Sequence, residues 1–595
     1  MKRLTAASDL CRLPAAFASA LALLAVAGLG TAAVGQRFPG NPKPRLCVLL
    51  SVDQLAEWVF ASAEPWFAED GGFRRLQDGG VTFANCAYEH ACTETGPGHA
   101  TIGTGAPACV HGVGKNAWWS PERGESIYCV EAPAKALEEL PEGANRGPIW
   151  LRAPTLSASV KAHLPGSKVA SISWKDRSAI LMGGAAADIC AWFDTTRGML
   201  VTNRTWCDEV PQWLAEFNQR HEVSAWFGSS WTRTGPEQAY DGLVDDRVFE
   251  RVHANGLKGH TLPQPLTGGD TEPKKAYYSQ IYASPFGNTA VRLAAEAALV
   301  GMDLGGDDVP DLLCVSFSST DVVGHYFGPD SVEARDALLR LDRDLGKLFD
   351  AFDKQAGVGG WSIFVTADHG VAQTPEAARM RGTPAGRGPI NAWVRSSVEG
   401  ALRKQFGPPV GSASVAEIDS AAVADADSAK GDGDEQEAKP VVRYVAHVGD
   451  NAVYLNPTTF GRSYAAMAKV AAAAAARVRG VQSAYPSMEL AKDHAHPDPI
   501  RRALAYGMVD GREGDVQFVL APYWLNGTTP ASHGSPHAYD REVIGFAMGP
   551  LIARGKTVMH ATTPGFGVVL LAHLLSIPKP SGARENVTAE LFVTR

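Results

Sequence analysis

Four short, nearly unbroken apolar runs constrain this 595-residue chain more than any other feature. Residues 45–52 (RLCVLLSV) stop at Asp53, and 168–174 (KVASISW) stop at Lys175-Asp176-Arg177. Residues 311–319 (DLLCVSFSS) stop at Thr320-Asp321, and 361–367 (WSIFVTA) stop at Asp368-His369-Gly370. Strands apolar on both faces belong in a parallel sheet covered on each side. Helical stretches alternate with them at 154–163, 290–301, 331–354 and 463–479, the last with Ser463 as N-cap and Gly480 beyond its end. The expected fold class is α/β, a mostly parallel sheet sandwiched by helices. Ligands of such sheets gather outside the carboxyl ends of the strands. Asp53, Asp321, Asp368 and His369 all fall there.

Two stretches break the alternation, and we expect insertions at about 195–285 and 378–505 that form a cap region. The first is rich in Trp, Gly and Pro. The second contains a low-complexity acidic run, 411–439, with Asp432, Asp434, Glu435 and Glu437, which reads as a solvated loop. Otherwise residues 36–595 are expected to make a single catalytic domain.

The N-terminus reads as an export signal, residues 1–35. Lys2, Arg3 and Arg12 precede the apolar run 14–30, and small residues follow at 31–35. An uncleaved anchor is the alternative. The mature chain is expected in the periplasm or outside the cell, without stable membrane insertion. Cleavage makes the formal charge of −9 more negative by two, which argues against a nucleic-acid partner. Eight of the nine cysteines remain. Cys190 with Cys207, and Cys109 with Cys129, are the disulfide candidates; Cys47 and Cys314 read as buried thiols. No CxxC pair is present to hold a metal through sulfur.

Downstream of Asp321 comes His325, and far beyond it His533-Gly534-Ser535. Three Asp and three His (Asp53, Asp321, His325, Asp368, His369, His533) suit Zn²⁺. They are enough for two ions ~4 Å apart. Mg²⁺, Mn²⁺ or Fe are possible substitutes. Residues 90–105, HACTETGPGHATIGTG, offer a nucleophile before a helix. Thr95 is the candidate, Thr93 and Cys92 are rivals, and a mere helix cap is the alternative role for Thr95. Lys175 and Arg177 end a strand, and cations there suit phosphate. Asn116, in HGVGKNAWW, supplies an amide that can donate to a phosphate oxygen.

At these residues the sequence resembles the alkaline phosphatase superfamily, and within it the exported bacterial alkaline phosphatases with a threonine nucleophile (phosphate-irrepressible type). The resemblance rests on SVDQ (51–54), TGPGHATIGTG (95–105), HGVGKNAWW (111–119), SWKDRSAIL (173–181), SPFGNT (284–289), VSFSSTDVVGHYFGPDS (315–331), TADHGVA (366–372) and HGSPHAYDRE (533–542). It implies one zinc site of Asp321, His325 and His533, and another of Asp53, Asp368 and His369 with Thr95 bound to its metal. It also implies phosphate contacts by Asn116, Lys175 and Arg177, and a phosphothreonine intermediate on Thr95. Glu94 has no counterpart in the pattern, and Asp540 reads as a tether of the His533 loop.

Residues 92–96, CTETG, lack the Pro and Arg of a sulfatase motif. A monoester is close to a dianion, and Lys175 and Arg177 match that load. The expected substrates are therefore small phosphate monoesters, with phosphodiester cleavage as the alternative. A non-catalytic capture protein is the competing class.

Overall fold

The strand Leu46–Val52 is buried at every position. It has a parallel neighbour on each side: Leu46 pairs with Asp311 on one and with Trp361 on the other. This computed structural model describes residues 43–247, 249–250, 261–409, 442–459 and 464–593. The export stretch, the 411–439 run and Ser463 lie outside the described residues.

The central sheet has nine strands. Their order is Lys556–Val558, Gly80–Phe83, Gly545–Met548, Trp361–Thr366, Leu46–Val52, Asp311–Phe317, Val169–Ser173, Ile189–Asp194, Met199–Val201. The five strands from Trp361–Thr366 to Ile189–Asp194 run parallel. Gly545–Met548 and Met199–Val201 are antiparallel to their neighbours. One helix layer contains Pro285–Gly301, Val332–Ala356 and Gly72–Gly79. The other contains Thr95–Thr104, Asp176–Gly183, Leu156–His163 and Phe566–Leu575. This is the α/β sandwich that the apolar runs imply. The helices at 156, 285 and 332 match the expected alternation.

Register places the site. Val52 pairs with Phe317, Ser51 with Thr366, and Ser316 with Ser173. The four strands therefore end at one level, and the residues after them, Asp53, Asp321, Asp368-His369 and Lys175, converge on one edge.

A second, four-stranded antiparallel sheet contains Val445–Gly449, Ala452–Leu455, Val516–Leu520 and Val481–Pro486. The helices Ile390–Phe406 and Tyr464–Ala475 bring Val394, Val398, Leu402 and Ala471 into one core with Val453 and Phe518. Its first hairpin turns at Asp450 and Asn451, both left-handed (φ 46° and 58°). Two such residues give the turn whose twist suits a tight hairpin. The stretch after residue 195 instead binds the flank of Val332–Ala356. Asp336 accepts hydrogen bonds from Trp231 Nε1 (2.7 Å), Thr234 N (2.6 Å) and Tyr240 Oη (2.7 Å).

The disulfide candidates do not form: all eight described cysteines are free thiols. Cys190 lies inside a strand with its sulfur facing Gly184 O, whereas Cys207 turns to Asn203 O. Cys47 and Cys314 are buried in neighbouring strands, as their apolar context implies.

Candidate active site

The helix Thr95–Thr104 begins at Thr95, with Glu94 as its N-cap residue and no side-chain cap. Thr95 is thus not spent on capping. Its Oγ1 accepts from Lys175 Nζ (3.3 Å) and Arg177 Nη2 (3.2 Å), and the residue is fully buried. The rivals have other tasks. Thr93 donates to Ser535 O (3.1 Å). Cys92 is pushed well up by burial and by Glu94, which removes its thiolate character. Gly98 is needed for close approach, because a Cβ there would lie 2.0 Å from Asp368 O.

Two groups of ligand atoms face Thr95's end of the sheet. In Asp53, Asp368 and His369, one ligand atom from each lies within 4.8 Å of the others. The same holds for Asp321, His369 and His533. His325 joins the second group through Asp321, with Nε2 3.1 Å from Oδ1. His369 serves both groups because its ring stacks on His533, with centroids 3.5 Å apart.

The tautomers point to cation binding. Nδ1 of His325, His369 and His533 lies 2.8, 3.0 and 2.7 Å from the carbonyls of Ala531, Gly370 and Thr93. A carbonyl only accepts, so each Nδ1 carries the proton and donates. On His369 and His533, which burial keeps neutral, the Nε2 lone pair then faces carboxylate oxygen: His369 Nε2 is 3.5 Å from Asp53 and 3.4 Å from Asp368, and His533 Nε2 is 3.5 Å from Asp321. Asp53 Oδ1, Asp368 Oδ2 and His369 Nε2 are buried with no hydrogen-bond partner among the described residues. Facing lone pairs repel unless a cation lies between them, and ligand histidines are held in this manner by their other nitrogen. The donor set therefore fits divalent metal.

Electrostatics agree. Burial and the Asp368 charge push Asp53 well above the carboxylate range, and burial carries Asp368 up to about 6 although Lys175 opposes it. Burial acts on Asp321 as well, but His325 and Lys175 outweigh it and hold it well below its usual value. Burial keeps His369 and His533 low and neutral, whereas Asp321 raises His325 against burial. Lys175 Nζ lies 2.6 Å from Asp53 and 2.7 Å from Asp321, and these charges raise it despite burial.

The residues expected to contact phosphate have these partners. Asn116 Oδ1 accepts from Gly96 N (2.7 Å), which leaves its Nδ2 to donate elsewhere. Arg177 Nη1 donates to Tyr128 Oη (3.3 Å), and Tyr128 donates to Asp176 (2.6 Å). Trp174 stacks between Phe193 and Tyr282, and these rings with Trp192 border a cavity of about 300 Å³ beside Lys175 and Arg177. A second cavity of about 290 Å³ is bordered by Asn116, His325 and His533.

Gln54, His99 and Glu94 have roles that their local sequence does not disclose, and Asp540 has the tethering role expected of it. Gln54, left-handed at φ 68°, donates from N to Asp368 (3.0 Å) and from Nε2 to Asp321 (2.6 Å), tying the two groups together. His99 bridges Thr95 O (2.9 Å) and Ser316 Oγ (2.7 Å). Glu94 accepts from Asn116 N (2.7 Å). Asp540 accepts from Ser535 N (2.9 Å) and tethers the His533 loop, while His537 Nε2 donates to Leu520 O (2.9 Å) and so is not a ligand. The motif SVDQ was the available signal for Gln54, and TGPGH for His99.

The sequence model of the type I phosphodiesterase / nucleotide pyrophosphatase family matches residues 47–431. Alkaline phosphatase PafA of Elizabethkingia meningoseptica is 33% identical over 62% of this chain and 66% of that protein. Alkaline phosphatase PhoV of Synechococcus elongatus is 28% identical over 92% of this chain and 93% of its own. The crystal structure of wild-type alkaline phosphatase PafA superposes with a TM-score of 0.80 at 26% identity, covering 93% of this chain and 100% of that one. With a family match over more than half its length, the chain belongs to the type I phosphodiesterase / nucleotide pyrophosphatase family of the alkaline phosphatase superfamily.

Proposed function

We propose that this protein is an exported alkaline phosphatase, a two-zinc phosphomonoesterase that acts on small phosphate monoesters through a phosphothreonine on Thr95. The observation that carries the reading is Thr95 Oγ1, free of capping and held by Lys175 and Arg177 at 3.3 and 3.2 Å beside the carboxylate–imidazole groups. Asp53, Asp368 and His369 would hold one cation, with Thr95 beside it; Asp321, His325 and His533 would hold the other. Bound zinc supplies Lewis acidity that lowers hydroxyl pKa and offsets phosphoryl charge. Mg²⁺, Mn²⁺ or Fe remain chemically admissible in such a donor set.

The chain's own groups do the rest. Two cationic donors at Thr95 Oγ1 favour its ionised form and orient it for attack on phosphorus. Arg177, braced by Tyr128, and Lys175 face the non-bridging oxygens, and Asn116 Nδ2 adds a neutral donor. Burial strengthens each of these interactions relative to water. Attack by Thr95 Oγ forms the new P–O bond as the alcohol oxygen leaves on the opposite side; water then cleaves the phosphothreonine and regenerates Thr95.

Removal of Thr95 tests the assignment. Thr95→Ala should keep two metals per chain and lose turnover of 4-nitrophenyl phosphate by more than about 10³-fold. Unchanged turnover would remove Thr95 from the role of nucleophile. The second reading, phosphodiester cleavage, is favoured by the 300 Å³ cavity beside Lys175 and Arg177, which has room for another substituent. Higher kcat/KM on bis-(4-nitrophenyl) phosphate than on 4-nitrophenyl phosphate would establish it. Among the described residues no helix is long and apolar enough to cross a membrane. Export rests on the basic and apolar stretch at residues 1–35.

A further inference from the structure

The cavity of about 290 Å³ is bordered by His325 and His533 but not by Thr95, Lys175 or Arg177. In-line displacement sends the leaving oxygen away from the attacking one. With Thr95 as nucleophile, the leaving alcohol points toward this cavity and not toward the aromatic cavity beside the two cations.

Its wall comes from the second sheet and the segments around it. Asn391 lies in the first turn of the helix Ile390–Phe406, Asp450 and Asn451 form the hairpin turn, and Asn526 ends the strand Trp524–Asn526. The side-chain amides of Asn526 and Asn451 are fixed in place. Asn526 Oδ1 accepts from Asn391 N (3.0 Å), and Asn451 Nδ2 donates to Gly534 O (3.1 Å). Asn391 Oδ1 is buried with no hydrogen-bond partner among the described residues. An unpaired amide oxygen at a cavity wall calls for a donor, and an alcohol hydroxyl is one.

Charge limits what else fits. The described residues around the cavity include Glu94, Asp450 and Asp540, and no Lys or Arg. Lys115 lies behind the hairpin, where its Nζ donates to Asp450 O (2.6 Å) and it borders a separate small cavity. Asp450 is exposed at the cavity edge. Burial pushes Glu94 up to about 7 and Asp540 up to about 8, so the exposed Asp450 carboxylate is the charge that a leaving group with its own carboxylate or second phosphate would meet, with no Lys or Arg among the described lining residues to pair it.

We propose that this cavity selects monoesters of neutral, hydroxyl-rich alcohols, with Asn391 reading a hydroxyl and Asp450 excluding leaving groups that carry a second negative charge. The proposal rests on the phosphomonoesterase reading above.

Calorimetric titration of the metal-loaded Thr95→Ala protein separates recognition from turnover. Glycerol 3-phosphate should bind about tenfold more tightly than n-propyl phosphate, the scale of one well-made hydrogen bond, and about tenfold more tightly than 3-phosphoglycerate. Asn391→Ala should reduce the glycerol-to-propyl ratio below about threefold. Asp450→Asn, which keeps a residue tolerant of the left-handed turn, should tighten 3-phosphoglycerate at least about threefold. Equal binding of propyl and glycerol phosphates, or an Asn391→Ala ratio unchanged from its parent, would overturn the proposal. If the wild-type enzyme fails to hydrolyse 4-nitrophenyl phosphate, the underlying reading falls and this inference with it. Full turnover of that ester without discrimination among the alcohols overturns this inference alone.

Discussion

Replacing Arg177 by Met removes one half-buried cation while keeping its apolar stem, and it should weaken monoester chemistry more than diester chemistry. Arg177 is the cleaner of the two cations to remove. It contacts Thr95 Oγ1 and Tyr128 Oη, whereas Lys175 also pairs with Asp53 and Asp321 and its loss would disturb both carboxylates. A guanidinium about 4 Å from an added phosphate charge is worth about 4 kcal/mol at an effective dielectric of 20. Desolvation of the buried ions offsets part of this and leaves about 2–3 kcal/mol, roughly a hundredfold in kcat/KM. A diester carries one charge fewer, so its loss should be about tenfold or less. The assay compares 4-nitrophenyl phosphate with bis-(4-nitrophenyl) phosphate for both proteins, with metal content and melting temperature as controls. The monoester-to-diester preference should fall by about tenfold or more. Equal losses on both esters, with metal retained, would refute the charge-matching argument.

Three other outcomes follow from particular contacts. Gly98→Ala places a Cβ against Asp368 O, backbone that cannot yield, so it should cost about 2–3 kcal/mol in denaturant titration and displace the Asp368 carboxylate; unchanged stability and activity would show that helix and strand end can separate freely. Metal retention in equilibrium dialysis should decline as pH falls through about 6, where Asp368 takes up its proton in competition with the cation; retention unaltered to pH 4.5 would count against these ligands. Glu333 is buried with both carboxylate oxygens unpartnered among the described residues, and burial, then Glu250, raise it from 4.5 to about 9. A raised acid binds its proton more tightly in the native state, so stability is lost as pH rises from 4.5 through about 9. Glu333→Gln should therefore match the parent near pH 4 and exceed it by roughly 2 kcal/mol at pH 8, read from melting curves; a pH-independent difference would exclude the linkage.

Much of the site was legible because it is written at strand ends. An apolar run terminated by Asp is a local pattern, and it marks Asp53, Asp321 and Asp368 before any pairing is known. Thr95 was legible only as one of three nucleophile candidates, since CTETG does not say which side chain is already engaged. The contacts favour Thr95: Thr93 is bonded to Ser535, burial and Glu94 push the Cys92 thiol well up, and Thr95 faces the two cations. The disulfide candidates failed for a related reason. Closeness in sequence does not specify sulfur direction, and Cys190 and Cys207 turn to different carbonyls.

The apolar strands, their charged termini and the kinds of donor available are written locally in the chain, because side-chain chemistry and strand periodicity are encoded within a few residues. Only packing brings His369 between two carboxylate–imidazole groups, ties Nδ1 of three histidines to carbonyls, and lets Gln54 join Asp321 to Asp368. It also decided that Asn391 and Asp450, far along the chain from Thr95, border the pocket next to His325 and His533. Those relations depend on sheet register and on the docking of a second sheet. Both are set by packing between segments hundreds of residues apart, and no local pattern carries that information.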